Sequence, residues 1–143
     1  MGLFGSVFGG KKNDHPPLER DSVAGRRIAQ RQGEIEAFVR KVKDRLELIP
    51  AQDATYVFIG KPPDAFGVAW ISQGREQTMK TLMQERGLSA ANVQIISDQL
   101  REVYKAHKQE ERYQTEIAGT TVLVTPSEQL ATDVHRIIEA VAG

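Results

Sequence analysis

Two short segments in the middle of the chain constrain the fold more than any other feature. Residues 55–59 (TYVFI) and 66–71 (FGVAWI) are rich in β-branched and aromatic side chains, and a loop with Gly60 and two prolines separates them. This pattern predicts a β-hairpin. Successive side chains of a strand point to opposite faces of the sheet, and both segments are apolar on both faces. The hairpin must therefore be covered on both faces, by helices or by another subunit.

Length and composition set the class of protein. A chain of 143 residues has the size of one ordinary domain, and its 19 basic and 19 acidic residues give a formal net charge of zero. The absence of cysteine excludes disulfides, thiolate metal sites and a cysteine nucleophile. No apolar run approaches the ~20 residues that cross a membrane. We predict a flexible segment at residues 1–20, a single domain at 21–143 and a cytoplasmic location.

An apolar stripe predicts one long amphipathic helix over residues 22–49. Ile35, Val39, Val42 and Leu46 recur at spacings of four, three and four, which places them on one helical face. Pro50 would end this helix. We expect this apolar face to bind a second copy of the chain or another protein.

The remaining patterns predict a small α+β domain. Helices are predicted at residues 75–86 and 89–112, followed by a second hairpin near the sheet edge (113–117 and 121–125) and a last helix that Thr125 caps. The expected fold is a four-stranded, mainly antiparallel sheet packed by about four helices, in the order α-ββ-αα-ββ-α. In element order alone it resembles secretion-chaperone-like and roadblock-like domains, which commonly dimerise and bind other proteins.

Catalytic signatures are weak in this sequence. His107 and His135 each have a glutamate four residues later, a spacing that lets two side chains share a metal, but neither pair has a third ligand in view. No serine lies in a Gly-x-Ser-x-Gly context. We therefore predict no catalytic residue, no metal and no cofactor.

Basic residues cluster in one region without forming a nucleic-acid signature. Residues 26–45 hold seven basic and three acidic side chains, a local charge of +4. Glu34 and Glu36 divide the basic residues into two groups, and Phe38 is the one aromatic residue among them. We interpret the segment as a solvated helix face and do not expect nucleic acid as a partner.

The first twelve residues have an unusual pattern, and we call them the N-terminal tip. If residues 2–9 are helical, an apolar face forms on one side, and two lysines follow it. The residues that define the tip are Leu3, Phe4, Val7, Phe8, Lys11 and Lys12. Such a face suits a hydrophobic groove in a protein, a second copy included, or an anionic membrane surface. Met1, Gly2 and Ser6 also fit the N-myristoylation pattern, and a tail without any partner is a third interpretation.

These observations predict a non-catalytic protein-binding module: an adaptor, a chaperone-like protein or an accessory subunit, and a homodimer. It would dock through the tip and a helix or sheet face, with Lys61 and Phe66 of the first hairpin as further contacts. One alternative is a small enzyme or ligand-binding domain whose pocket is lined by Tyr56, Trp70 and Tyr104; another is a peripheral membrane protein anchored by residues 2–12. An enclosed cavity of ~300 Å³ or more with converging polar groups would favour the pocket, and a filled core would favour the binding module.

Overall fold

The computed structural model describes residues 15–142, which form five α-helices and one six-stranded sheet. In chain order the elements are α1 (Val23–Gln30), α2 (Gln32–Lys41), β1 (Leu46–Pro50), β2 (Thr55–Gly60), β3 (Phe66–Ser72), β4 (Arg75–Thr78), α3 (Met79–Arg86), α4 (Ala90–Ala106), β5 (Tyr113–Ile117), β6 (Thr120–Val124) and α5 (Glu128–Ala142). The α+β class is confirmed. The expected order α-ββ-αα-ββ-α, with four strands and about four helices, is wrong in detail, because the structure has two more strands and one more helix.

The sheet has the strand order β4-β3-β2-β1-β6-β5. Neighbouring strands are antiparallel except β1 and β6, which are parallel. Both predicted hairpins are present, as β2–β3 and β5–β6, and the second does lie at an edge. That edge is partly covered, because the N–H of Gln114 in β5 donates to the carbonyl of Pro16 and its carbonyl accepts from Leu18 (both 2.9 Å).

The single long helix predicted over residues 22–49 is wrong. Ser22 does cap a helix, since its Oγ accepts from the N–H of Gly25 (3.0 Å). Helix α1 ends before Arg31, α2 ends at Lys41, and Leu46 belongs to strand β1 in the middle of the sheet. Every residue of β1 is buried, and a short strand buried on both faces has no alternation that would distinguish it from a helix in the sequence.

Strand β4 replaces the first turn of a predicted helix. Gln73 and Gly74 both have positive φ (52° and 73°), the geometry of a two-residue hairpin turn, and they join β3 to β4. The helix begins only after Thr78, whose Oγ1 accepts from the N–H of Thr81 (3.2 Å). The start of the last helix is also corrected, because Ser127 caps α5 and Thr125 does not.

Helices cover both faces of the sheet, as the two-sided apolar hairpin requires. Helices α1 and α2 pack on one face, which carries Val57 and Ile71. Helices α3, α4 and α5 pack on the other, which carries Tyr56, Phe58 and Val68. The second face is the one that holds the candidate site.

Candidate functional site

A cleft of about 490 Å³ opens at one end of the sheet, between α3, α5 and the β1–β2 loop. Its floor is a row of directly paired residues on three strands: Tyr56 of β2 pairs with Trp70 of β3, which pairs with Gln77 of β4. Paired residues of antiparallel strands have Cβ atoms about 5 Å apart and point to the same side. Two aromatic side chains and an amide thus lie side by side on the floor. We call the whole cleft the Trp70 cleft.

Helix α5 forms one wall of the Trp70 cleft and supplies its imidazole. Tyr56 Oη lies 2.9 Å from Nδ1 of His135, and the two rings meet edge to face. Burial, and then the negative charges of Glu139 and Asp53, raise the pKa of Tyr56 to about 12. The phenol therefore keeps its proton at neutral pH and does not act as a base there.

Charged residues on the rim of the Trp70 cleft are mainly acidic. Among the described residues, Asp53, Glu128 and Glu139 line it together with one arginine, Arg86. Glu128 is already bound, because it forms an ion pair with Arg27. Across the part of the chain that the structure describes, neither Asp53 nor Glu139 forms an ion pair.

A second polar site on the same face of the sheet is occupied by the protein's own side chains. Glu47 of β1 is only 4% exposed, and its carboxylate accepts hydrogen bonds from three side chains: Tyr104 Oη (2.7 Å), Arg112 Nε (3.0 Å) and Thr125 Oγ1. The Arg112 guanidinium also lies 5.1 Å from the centre of the Tyr104 ring. Burial and the contact with Glu47 raise the pKa of Tyr104 to about 12. We call this arrangement the Glu47 network, and Tyr104 belongs to it rather than to the cleft.

His107 joins α4 to α5 between two carboxylates. Its Nδ1 lies 2.8 Å from Glu110 and its Nε2 lies 2.9 Å from Asp133. Burial opposes protonation of His107, but the hydrogen bonds and charges of the two carboxylates outweigh it and raise the pKa. The carboxylates beside His107 are thus Glu110 and Asp133, and not Glu111, the glutamate four residues after it. In residues 15–142 no group of three or more His, Asp or Glu side chains is arranged to hold a metal ion.

The helix face predicted to bind a partner lies inside the protein. Ile35, Val39 and Leu46 are 1–2% exposed, and they fill the core between α2 and the sheet, with Val42 partly buried against them. These side chains reach the same core from different elements, because Leu46 is in a strand and not on the helix. They stabilise this chain, and we do not retain them as a partner surface.

The other predicted contacts have different positions. Lys61 is exposed, whereas Phe66 packs edge to face on Phe58 (5.6 Å) under the guanidinium of Arg101 (5.6 Å). Arg101 Nε also donates to the carbonyl of Pro63 (2.7 Å) and so holds the hairpin loop against α4. Phe66 therefore helps to hold the hairpin loop in place. All six tip residues, from Leu3 to Lys12, lie outside the described part of the chain.

Comparisons with models of known protein families, with curated proteins and with solved structures found no match to this chain. None of the helices in the described residues combines the length and the apolar character needed to cross a membrane. The geometry of the Trp70 cleft therefore carries the functional argument.

Proposed function

We propose that this protein is a non-catalytic binding module that takes up a segment of another protein in the Trp70 cleft. The observation that carries the proposal is an open cleft of about 490 Å³ with an aromatic floor and a polar rim. This volume falls within the range of ligand-binding sites, roughly 300–1,000 Å³. Tryptophan and tyrosine are also the residues most enriched where proteins bind one another.

The form of the Trp70 cleft favours a protein segment over an enclosed small molecule. The cleft is partly open to solvent rather than enclosed, so it can admit part of a longer chain. The sheet provides a stable floor, because Tyr56 and Trp70 lie on neighbouring strands of a hairpin that is covered on both faces. A preformed floor reduces the ordering that binding requires.

The protein has a built-in reporter for this test. Trp70 is the only tryptophan of the chain and lies in the cleft, so its fluorescence reports occupancy. We would select, from a displayed random library, peptides that bind the full-length protein. Each selected peptide is then titrated into the protein while Trp70 emission is recorded. We expect peptides that change the emission and bind with a Kd on the order of micromolar.

A matched pair of variants shows where these peptides bind. Thr132 is exposed on α5 and lines the cleft, whereas Ala140 is exposed on α5 outside it. Thr132→Arg fills the cleft with a bulky side chain, and Ala140→Arg adds the same side chain elsewhere on the helix. We expect the first variant alone to lose binding. Equal binding by both variants, or selected peptides that leave Trp70 emission unchanged, would contradict the proposal.

A second candidate function is the uptake of a small ligand, with or without chemistry, in the same cleft. The observation that favours it is that polar side chains of Tyr56, His135 and Gln77 line the cleft, with Tyr56 and His135 hydrogen-bonded to each other. A small-molecule library screened by Trp70 emission tests this candidate. Ligands that respond in this screen while displayed peptides do not would favour it over the protein-binding function.

The N-terminal tip is proposed as an additional contact, on the sequence pattern alone. Deletion of residues 1–12 should leave the melting temperature unchanged and should abolish binding either to a partner protein or to vesicles that contain anionic lipid. Vesicle pelleting and co-purification distinguish the two. No change in either assay would assign the tip no role in binding.

Self-association is also proposed, although the helix face first expected to carry it is buried. Sedimentation of the full-length protein measures it directly. A folded monomer at all concentrations would exclude the homodimer.

A further inference from the structure

We infer that the segment bound in the Trp70 cleft presents a basic side chain, arginine above lysine, to Trp70 and Glu139. This inference rests on the proposed function, since it specifies the chemistry of the ligand that the cleft takes. The occupant is thus an exposed basic segment of a partner protein.

The first argument is charge complementarity. Of the three carboxylates on the rim, Glu128 is bound by Arg27, whereas Asp53 and Glu139 form no ion pair among residues 15–142. The negative charge of Asp53 is partly balanced by the positive charge of the Arg31 guanidinium. Hydrogen bonds to the carbonyls of Ala51 and Gln52 hold this guanidinium in place. Glu139 therefore offers the principal site for a cation from outside.

The second argument is the exposed aromatic surface. Trp70 is half-buried on the cleft floor, and tryptophan is the aromatic side chain that attracts a cation most strongly. Within the described part of the chain, no cation lies over its ring. A guanidinium stacked on Trp70 would find the carboxylate rim at the edge of the same cleft.

The same face of the sheet shows this arrangement twice with the protein's own arginines. Arg101 lies over the ring of Phe66, and Arg112 lies over the ring of Tyr104 while it donates to Glu47. Each guanidinium combines a ring contact with hydrogen bonds to oxygen atoms. Arginine suits both contacts, because its planar group stacks on rings and binds carboxylates through two donors, whereas lysine is a point charge.

The experiment uses short, capped Gly/Ser peptides that differ only at two central positions. These positions hold arginine, lysine, glutamine or glutamate, and binding to the full-length protein is measured by Trp70 emission. We expect the arginine peptide to bind best, then lysine, with a Kd for glutamate at least about tenfold weaker than for arginine. Binding of the arginine peptide should weaken as salt is added.

Charge-removing variants locate the cation. Glu139→Gln should weaken the arginine peptide roughly threefold to tenfold, and Asp53→Asn should weaken it less because Arg31 balances that carboxylate. The matched control is Glu102→Gln on the exposed side of α4, where Glu102 pairs with Lys105. We expect this control to bind like the wild type.

Several outcomes would overturn the inference. Equal binding of the arginine and glutamine peptides, no response to the arginine peptide at millimolar concentration, or unchanged binding by both cleft variants would each do so. Arginine amide and spermidine are included as free cations, and a Trp70 response to them without one to the peptide would replace the protein segment by a small polyamine-like ligand.

Failure of this inference is distinguishable from failure of the proposed function. If displayed peptides without basic residues bind the wild type and lose binding on Thr132→Arg, the cleft is a protein-binding site and only the charge assignment is wrong. If no peptide of any composition occupies the cleft, both are wrong.

Discussion

The Glu47 network and the Trp70 cleft lie on the same face of the same sheet, and they differ in what covers them. At Glu47, helix α4 and the segment after it bring Tyr104 and Arg112 onto the carboxylate. At Trp70, the lining comes from α3, α5 and two turns, and no residue of α4 takes part. Both sites combine carboxylates with aromatic rings. The Glu47 carboxylate accepts its hydrogen bonds from side chains of the same chain, whereas Glu139 on the rim of the cleft forms no ion pair among the described residues. The first arrangement stabilises the fold, and the second is available to a ligand.

The largest effect is expected when the Glu47 network loses its charge. Glu47→Gln leaves the guanidinium of Arg112 beside a neutral amide in a buried position, and breaking a buried ion pair costs about 3–5 kcal/mol. Urea unfolding measures the loss of free energy. Glu102→Gln, the same change on an exposed pair, should alter stability by less than about 0.5 kcal/mol. A loss below about 1 kcal/mol for Glu47→Gln would contradict the structural role of the network.

Removal of one hydroxyl from each site gives a direct comparison. Tyr104→Phe deletes a hydrogen bond to a buried carboxylate, an interaction typically worth about 1.5–3 kcal/mol. Tyr56→Phe deletes a hydrogen bond to the exposed His135, for which about 0.5–1.5 kcal/mol is typical. Chemical unfolding of both variants checks the order. The reverse order would mean that the cleft, and not the Glu47 network, is the better-stabilised site.

The His107 cluster should make stability depend on pH. The carboxylates of Glu110 and Asp133 raise the pKa of His107 above its ordinary 6.5, so the stabilisation is complete below pH 6.5 and is lost as the pH rises through the folded-state value. The hydrogen bond with His107 lowers the pKa of Glu110. Burial opposes ionisation of Asp133, but its hydrogen bonds and the nearby positive charges outweigh burial and lower its pKa as well. Their contribution is lost as the pH falls through the lowered values. The cluster therefore stabilises the fold most in mildly acidic solution.

The variant His107→Gln tests this dependence. Urea unfolding at about pH 6 and about pH 8.5 should show a smaller difference for the variant than for the wild type. Asp133→Asn, which keeps His107 but removes one carboxylate, should reduce the difference in part. An unchanged difference in His107→Gln would remove the histidine from the explanation.

The smallest effect is expected at the rim of the cleft. Glu139→Gln should change the free energy of unfolding by less than about 0.5 kcal/mol, because Glu139 is exposed and forms no ion pair in the described region. The same chemical change should therefore separate the two sites: we expect it to destabilise the fold at Glu47 and, under the proposed function, to weaken only ligand binding at Glu139. A large destabilisation by Glu139→Gln would show that the cleft also holds the fold together.

Local patterns predicted some of these features and missed others. The hairpin β2–β3 and its cover on both faces follow from residues 55–71. Of the three residues that the alternative pocket hypothesis names, Tyr56 and Trp70 line the cleft and Tyr104 does not. Strand β4 was missed because its sequence, REQT, is polar, although Gln73-Gly74 before it is a turn signal. Strand β1 was missed because LELIP continues a helical spacing of apolar residues. Its pairing with β6 is distant in the chain, so no local signal indicates it.

The sequence by itself determined the α+β class, both hairpins, the two-sided apolar character of β2 and β3 and the contrast in composition between the tip and the domain. These features depend on side chains close together in the chain, whose alternation and spacing reflect the surfaces that local structure buries. Only the tertiary structure decided which polar groups meet. Glu47 is 57 to 78 residues from its hydrogen-bonding partners, and Tyr56 is 79 from His135. Such contacts arise when helices pack across the sheet. Helix α4 and the segment after it cover Glu47 but not the Trp70 cleft. The carboxylate of Glu47 is therefore enclosed, whereas that of Glu139 stays exposed.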